Sequence, residues 1–313
     1  MTRFRRSPLT TPLSAMLLAG WLAFAPAVGA QPVAGTADEA VIARKSRAVG
    51  LASAEDVEKS ATAQYAQLTR QAASQGALAP ADHPQTVRLR AIAARLISQS
   101  ARYNERAANW KWEVNLIGSK QVNAFCMPGG KIAFFSGILT SLQMTDDEVA
   151  IVMGHEIAHA LQEHGRERVG KMRIAQVGTV IAAIGGALLG FGDLGGQVAS
   201  GAAQLTMLKY GRDDETEADL VGLDLAARAG FDPRAGIVVW QKMAAVAKGQ
   251  PPQWLSSHPS HGTRIAEITR SLDRSMPLYA RARGISLTSI EPYRSNTGKP
   301  IPWPVNAAKS AGR

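Results

Sequence analysis

His155-Glu156-Ile157-Ala158-His159 places two imidazoles four residues apart, with a carboxylate beside the first. On an α-helix that spacing puts both rings on one face, where they can share a single metal ion. Glu156 then lies beside the pair, angled toward a water on the metal rather than toward the metal itself. Two imidazoles and one carboxylate with an open fourth position suit zinc. Such an ion lowers the pKa of its water, and the glutamate takes the proton. The expected chemistry is metal-assisted hydrolysis. Two core histidines that merely fall at helical spacing would be the bland alternative. It is the weaker one, because Met153, Gly154 and Ala158 suit a helix packed tightly around a site.

A third ligand must come from elsewhere. His164 has the wrong spacing, because the extended motif needs glycine at 162 and histidine at 165, where the chain has Gln162 and Gly165. Glu215 is the better candidate, in Glu215-Thr216-Glu217-Ala218-Asp219. Glu215 and Asp219 share a helix face. Glu215 could bind the metal while Asp219 accepts the outer N–H of a ligand histidine and fixes its tautomer. Alone, this run would read as an ordinary acidic helix start; the missing ligand tips the reading. His258 precedes Pro259, which restricts it to extended backbone and suits a loop leaning over a site. It could stabilise an oxyanion or occupy the fourth metal position. His83 and His261 read as surface residues.

The elements that must position these residues follow from periodicity and caps. Thr145 and Glu148 have capping-box spacing, so a helix starting there carries residues 155–159 well inside it. Trp112, Val114 and Leu116 alternate with Glu113 and Asn115, a half-buried strand pattern. Residues 121–126 and 131–135 are two further strands, with turns at Gly118-Ser119-Lys120 and Pro128-Gly129-Gly130. The expectation is a small antiparallel sheet of hairpins. Helices are expected over 53–74 and 87–100, broken apart by Pro80 and Pro84. Others are expected over 213–229, 234–248 and 262–273. The fold class is α+β, mostly helical. Residues 174–192 lack any charge, but their glycines and alanines favour a buried or surface-associated helical hairpin over a membrane span.

Composition narrows the class. The chain has 313 residues, and charged residues at 19% beside ample apolar content exclude wholesale disorder. A lone Cys126 excludes an intramolecular disulfide and a cysteine-cluster metal site. Residues 1–30 read as a cleavable secretory signal. Arg3, Arg5 and Arg6 form its basic start, an apolar stretch follows, and Val28-Gly29-Ala30 precedes a cut before Gln31. No cysteine near the cut suits a lipoprotein anchor. The formal charge is +10, and losing those three arginines leaves +7. Residues 276–313 hold +5 of it, so residues 31–275 are nearly balanced at +2 and a nucleic-acid partner is excluded. The domain plan is thus a signal (1–30), a catalytic domain (31–275) and a basic, proline-rich, irregular tail (276–313). That tail could touch an anionic membrane surface.

The motifs together resemble a known family. Asn123-Ala124-Phe125, Pro128-Gly129-Gly130, His155–His159, Arg212-x-x-Glu215-x-x-Ala218-Asp219 and His258-Pro259 with Arg264 occur in the order seen in the CAAX prenyl protease/HtpX family. The layout is similar to its soluble periplasmic, BepA/LoiP-like branch. The resemblance covers roughly residues 60–275. It implies a zincin-like metallopeptidase fold with a small sheet beside the active-site helix. It also implies one zinc held by His155, His159 and Glu215, with Glu156 as general base. Asn123 and Ala124 would belong to the edge strand on which a polypeptide substrate pairs, and His258 would lie near the zinc. The expected activity is that of a zinc endopeptidase of the bacterial envelope, acting on misfolded or misassembled proteins. A latent or non-proteolytic chaperone or scaffold with the same metal site is the alternative. Gly211 departs from the family's serine, which weakens a helix cap. No room follows residue 275 for a tetratricopeptide module.

Overall fold

The computed structural model describes residues 47–175, 210–247, 252–259 and 263–305. The expected signal segment, His261 and the uncharged stretch from residue 176 onward lie outside the described residues. In chain order the elements are α1 (Ala54–Ser74), α2 (Pro84–Ile97), β1 (Glu113–Ile117), β2 (Ala124–Met127), β3 (Lys131–Phe135), α3 (Ser136–Ser141) and α4 (Asp146–Leu161). They continue with α5 (His164–Ala175), α6 (Arg212–Arg228), α7 (Ala235–Val246), α8 (Gln253–Ser257) and α9 (Arg264–Arg283). The fold is mostly helical with one small sheet, as the sequence implied.

Local chemistry explains the helix starts. Ser53 caps α1 by accepting from the Asp56 N–H. Pro84 begins α2 rather than breaking it, because the first helical position needs no N–H. His83 is the cap before it, its Nδ1 accepting from the Gln85 N–H at 3.2 Å. The Thr145 capping box is formed in both directions: Thr145 Oγ1 accepts from the Glu148 N–H, and the Glu148 carboxylate accepts from the Thr145 N–H. At α6 the cap is one-sided. Gly211 has no side chain to offer, and only Asp214 reaches back, accepting from the Gly211 N–H at 2.9 Å.

The sheet corrects the expected antiparallel hairpins. Its order is β1-β3-β2, with β1 parallel to β3 and β2 antiparallel to β3. The Gly118-Ser119-Lys120 turn does not fold β1 onto β2. The Gly118 N–H donates to the Ala77 carbonyl at 2.7 Å, and Ser119 exchanges hydrogen bonds with Ser136. The chain is thereby carried across the sheet, and β3 takes the central place. Only the Pro128-Gly129-Gly130 turn makes a hairpin; both glycines have φ near +80° (80° and 78°). The sheet divides the apolar interior. Ala124, Cys126, Ile132 and Phe134 join the main core with α4, whereas Phe125, Met127, Ala133 and Phe135 pack with Tyr65 and Leu68 of α1.

The tail also differs from expectation. Helix α9 runs through Pro277 to Arg283 and ends at Gly284 in a left-handed turn (φ 65°), so no irregular segment begins at residue 276. Residues 290–303 then fold back as a strap. Tyr293 and Ile301 pair through two backbone hydrogen bonds, and buried Arg234 donates to the carbonyls of Glu291 and Ile301. The strap reaches the start of α4: Tyr293 Oη lies 3.0 Å from Thr145 Oγ1, and Ser295 Oγ donates to Glu148 at 2.6 Å. Lys242 completes this cluster, donating to Glu148 and Asn296 at 2.7 Å each. Polar pairing, which composition does not reveal, is what orders a proline-rich segment here.

Helices α4 and α6 meet backbone to backbone. A Cβ on Gly154 would lie 2.9 Å from the Gly222 carbonyl oxygen, and one on Gly222 would lie 2.8 Å from the His155 nitrogen. Gly222→Ala should therefore destabilise the protein by about 1–3 kcal/mol, read by chemical denaturation. An unchanged midpoint would show that the helices are free to separate. Burial pushes the Asp147 carboxyl up to about 6, even though it accepts from the Asp232 N–H. A folded-state pKa above the unfolded value of about 3.9 stabilises fully below that value, and the gain is lost as pH rises through 6. Asp147→Asn keeps an oxygen for that N–H. It should raise Tm by a few degrees at pH 7 and give no advantage at pH 4; a constant offset would contradict the assignment.

Candidate metal centre

Helix α4 presents His155 and His159 one turn apart, and α6 crosses it at the glycine contact. Glu215, in the first turn of α6, is thereby brought opposite both rings. The Nε2 atoms of His155 and His159 lie 3.1 Å apart, and each is 3.6 Å from a Glu215 carboxylate oxygen. His258, just after α8, adds a fourth donor. Its Nδ1 is 2.9 Å from Glu215 Oε1 and 3.2 Å from His155 Nε2. These four donor atoms all lie within 4.8 Å of one another, and their residues are 1–3% exposed.

The surrounding charges set the protonation of this cluster. Burial drives the Asp219 carboxyl upward, but the Arg264 guanidinium and the His155 ring overcome it and hold its pKa at about 2. An ionised Asp219 only accepts, so the His155 Nδ1 at 3.0 Å must donate, and its Nε2 faces the cluster. Burial also opposes ionisation of Glu215, and the neighbouring His258, His155 and Arg264 outweigh it, leaving its pKa below the usual carboxylate value. Burial, followed by the His155, His164 and His258 rings, holds His159 well below the usual imidazole value. His258 goes the other way: burial lowers it, but the Glu156 and Glu215 carboxylates more than compensate. The Nε2 atoms of His155 and His159 and the ionised Glu215 carboxylate thus converge in a dry pocket. Such a donor set fits a shared cation, because neutral imidazole and ionised carboxylate are the forms that bind one.

Glu156 sits at the edge of the cluster. The Trp254 Nε1–H donates to its Oε1 at 2.6 Å, and His258 Nε2 lies 3.6 Å from the same oxygen. Trp254 itself is anchored by its backbone N–H donating to the Val122 carbonyl at 3.1 Å, which ties α8 to the segment leading into β2. Asn123 is buried just before β2, and its Oδ1 accepts from the Ala124 N–H at 3.0 Å. The Phe135 N–H donates to the Asn123 carbonyl, so by alternation the Ala124 and Cys126 backbone groups face away from β3.

The model of Peptidase family M48 matches residues 83–272, more than half of the chain. The chain belongs to peptidase family M48. The match spans every residue of the four-donor cluster. Among its relatives, the mitochondrial metalloendopeptidase OMA1 of Schizosaccharomyces pombe is 36% identical over 193 residues, 60% of this chain and 53% of that protein. Mitochondrial metalloendopeptidase OMA1 of Bos taurus is 35% identical over 177 residues, 53% of this chain and 34% of that protein. The beta-barrel assembly-enhancing protease of Escherichia coli (strain K12) is 27% identical over 176 residues, 53% of this chain and 36% of that protein. The matched part therefore spans between about one third and just over half of these M48 relatives.

Several residues at the site escaped the sequence reading. Trp254 precedes His258 by four residues, a spacing that could have flagged it. Tyr210 stacks on His159 with ring centroids 3.8 Å apart and 25° between planes, and also on His258 at 5.2 Å; nothing in the sequence marks it. Arg264 was visible only as part of a family block. It donates to both Glu215 and Asp219 and lies over the Trp240 ring at 3.8 Å. His164 does not join the four donors, in keeping with its wrong spacing, yet it is 3% exposed and its Nδ1 lies 2.8 Å from His159 Nδ1.

Proposed function

We propose that this protein is a zinc-dependent endopeptidase of the bacterial cell envelope, hydrolysing peptide bonds of misfolded or misassembled envelope proteins. The convergence of four buried donor atoms within 4.8 Å, with a carboxylate beside them, carries the reading. In it, His155, His159 and Glu215 hold the metal, Asp219 orients His155, and His258 takes the fourth position. A bound zinc ion would supply the Lewis acidity that polarises a peptide carbonyl. Glu156 takes a proton from the attacking water and returns it to the leaving amine nitrogen. Trp254 fixes one oxygen of that carboxylate, which leaves the other to carry the proton. A substrate strand pairs along the outer edge of β2. Because Asn123 already occupies the Ala124 N–H, the pairing groups are the Ala124 carbonyl and the backbone of Cys126. An apolar groove beyond His159 and Tyr210, walled by Val57, Met127 and Val169, accommodates neighbouring side chains.

The envelope location is supported by the signal-like pattern of residues 1–30 and by the likeness to the beta-barrel assembly-enhancing protease. The five sequence blocks support a BepA/LoiP-like position within the family. The mitochondrial relatives bear on the chemistry, and the compartment rests on the N-terminal pattern. Among the described residues no helix is long and apolar enough to cross a membrane. Burial of the donors favours latency, because His258 lies where a peptide carbonyl must arrive.

The test uses the purified full chain. The parent should carry about one zinc and cleave casein. Glu156→Gln should keep the zinc and cleave at least ~100-fold more slowly, and cleavage at the parental rate would contradict the mechanism. In the same assay His258→Ala should cleave faster than the parent, and slower cleavage would contradict latency.

A further inference from the structure

His164 and Glu217 have no place in the chemistry above, yet both are built against the metal centre. Helix α4 ends at Leu161, and Glu163 adopts φ 61°, a left-handed turn uncommon outside glycine and asparagine. That turn starts α5 in a new direction and returns His164 toward His159. The two Nδ1 atoms lie 2.8 Å apart, with the rings edge-on at 71° and centroids 4.9 Å apart. On its far side His164 Nε2 lies 3.0 Å from Glu217 Oε2. Glu217 follows Glu215 by two residues on α6, a rotation of about 200°, so it faces away from the ligand cluster. His164 spans the gap.

The hydrogen positions follow from one end of this chain. The Glu217 carboxylate can only accept, so His164 Nε2 carries a hydrogen. In the neutral ring, His164 Nδ1 then holds the lone pair and accepts from His159 Nδ1–H. The Nε2 lone pair of His159 is left facing His155 and Glu215. On the other histidine, Asp219 does the same in a single step, accepting from His155 Nδ1–H at 3.0 Å. Helix α6 thus supplies Glu215 itself and the outer carboxylate for each of the two imidazoles.

We propose that His164 and Glu217 form a two-residue relay that fixes His159 in the tautomer and orientation needed to donate Nε2 to the metal. Both are positioning residues. The proposal rests on the metal-centre reading above. Outer partners of this kind hold a ligand ring in register, and their loss weakens metal binding by 10- to 100-fold. Because the two act in series, the second loss adds nothing once the first has occurred.

The experiment measures zinc affinity of the full chain by competition with a chromophoric chelator. Melting of each metal-free protein is recorded alongside, and so is the visible spectrum of its cobalt form. His164→Leu should bind zinc about 10- to 100-fold more weakly and shift the cobalt spectrum. His164→Asn places an amide oxygen near the lost Nδ1, and should stay within about threefold of the parent. Glu217→Leu, at a residue whose side chain is 22% exposed, should weaken binding about tenfold with little effect on metal-free melting. The double variant should match His164→Leu alone. A parent that binds no zinc would overturn the metal-centre reading itself. A parent that binds zinc, with His164→Leu at equal affinity, would overturn the relay alone. So would His164→Asn as weak as His164→Leu, or losses that multiply in the double variant.

Discussion

Gly154 and Gly222 let α4 and α6 touch backbone to backbone, and the site depends on that contact. A Cβ at either position would force the helices apart and move Glu215 away from His155 and His159. Close approach also concentrates polar groups in a dry interior, where each needs a partner. Arg264 answers most of that need: it donates to Glu215 and Asp219 together, and both carboxylates stay ionised while buried. Its planar fork suits two acceptors at once, which a lysine could not match. The cluster is thus one electrostatic unit in which ligands, outer acceptors and guanidinium hold each other in register.

Much of this was legible in the sequence because its signals are periodic. The i, i+4 spacing of His155 and His159, and of Glu215 and Asp219, fixes which side chains share a helix face, whatever the rest of the fold does. The Thr145 capping box is local chemistry and appears where the sequence indicated. Relations between distant segments were not legible. The sheet order turns on whether residues 118–120 fold back on β1 or anchor to Ala77 and Ser136, and alternation within a strand says nothing about its neighbour. The spacing rule that excludes His164 as a ligand has no power over a residue beyond a left-handed turn.

The C-terminal strap shows the same limit in another form. Prolines and basic residues suggested an irregular tail, but Tyr293, Ser295 and Asn296 bind the Thr145 capping box and its Lys242 neighbour. The start of α4 is therefore braced by residues far along the chain, and the helix is held at both ends. The strap anchors its N-terminus, and the turn at Glu163 with the His164 contact closes its C-terminus. A rigid helix is what an ordered ligand set requires, since ligands on firm elements keep their geometry better than ligands on loops.

His155, His159, Glu215 and His258 are gathered into one candidate metal centre. Crystals of the zinc-loaded protein, with anomalous scattering collected on both sides of the zinc absorption edge, test that most directly. One peak per chain is predicted, about 2.0–2.2 Å from Nε2 of His155, Nε2 of His159 and a Glu215 oxygen. A peak bound elsewhere, or no peak among these residues in the zinc-loaded crystals, would contradict it.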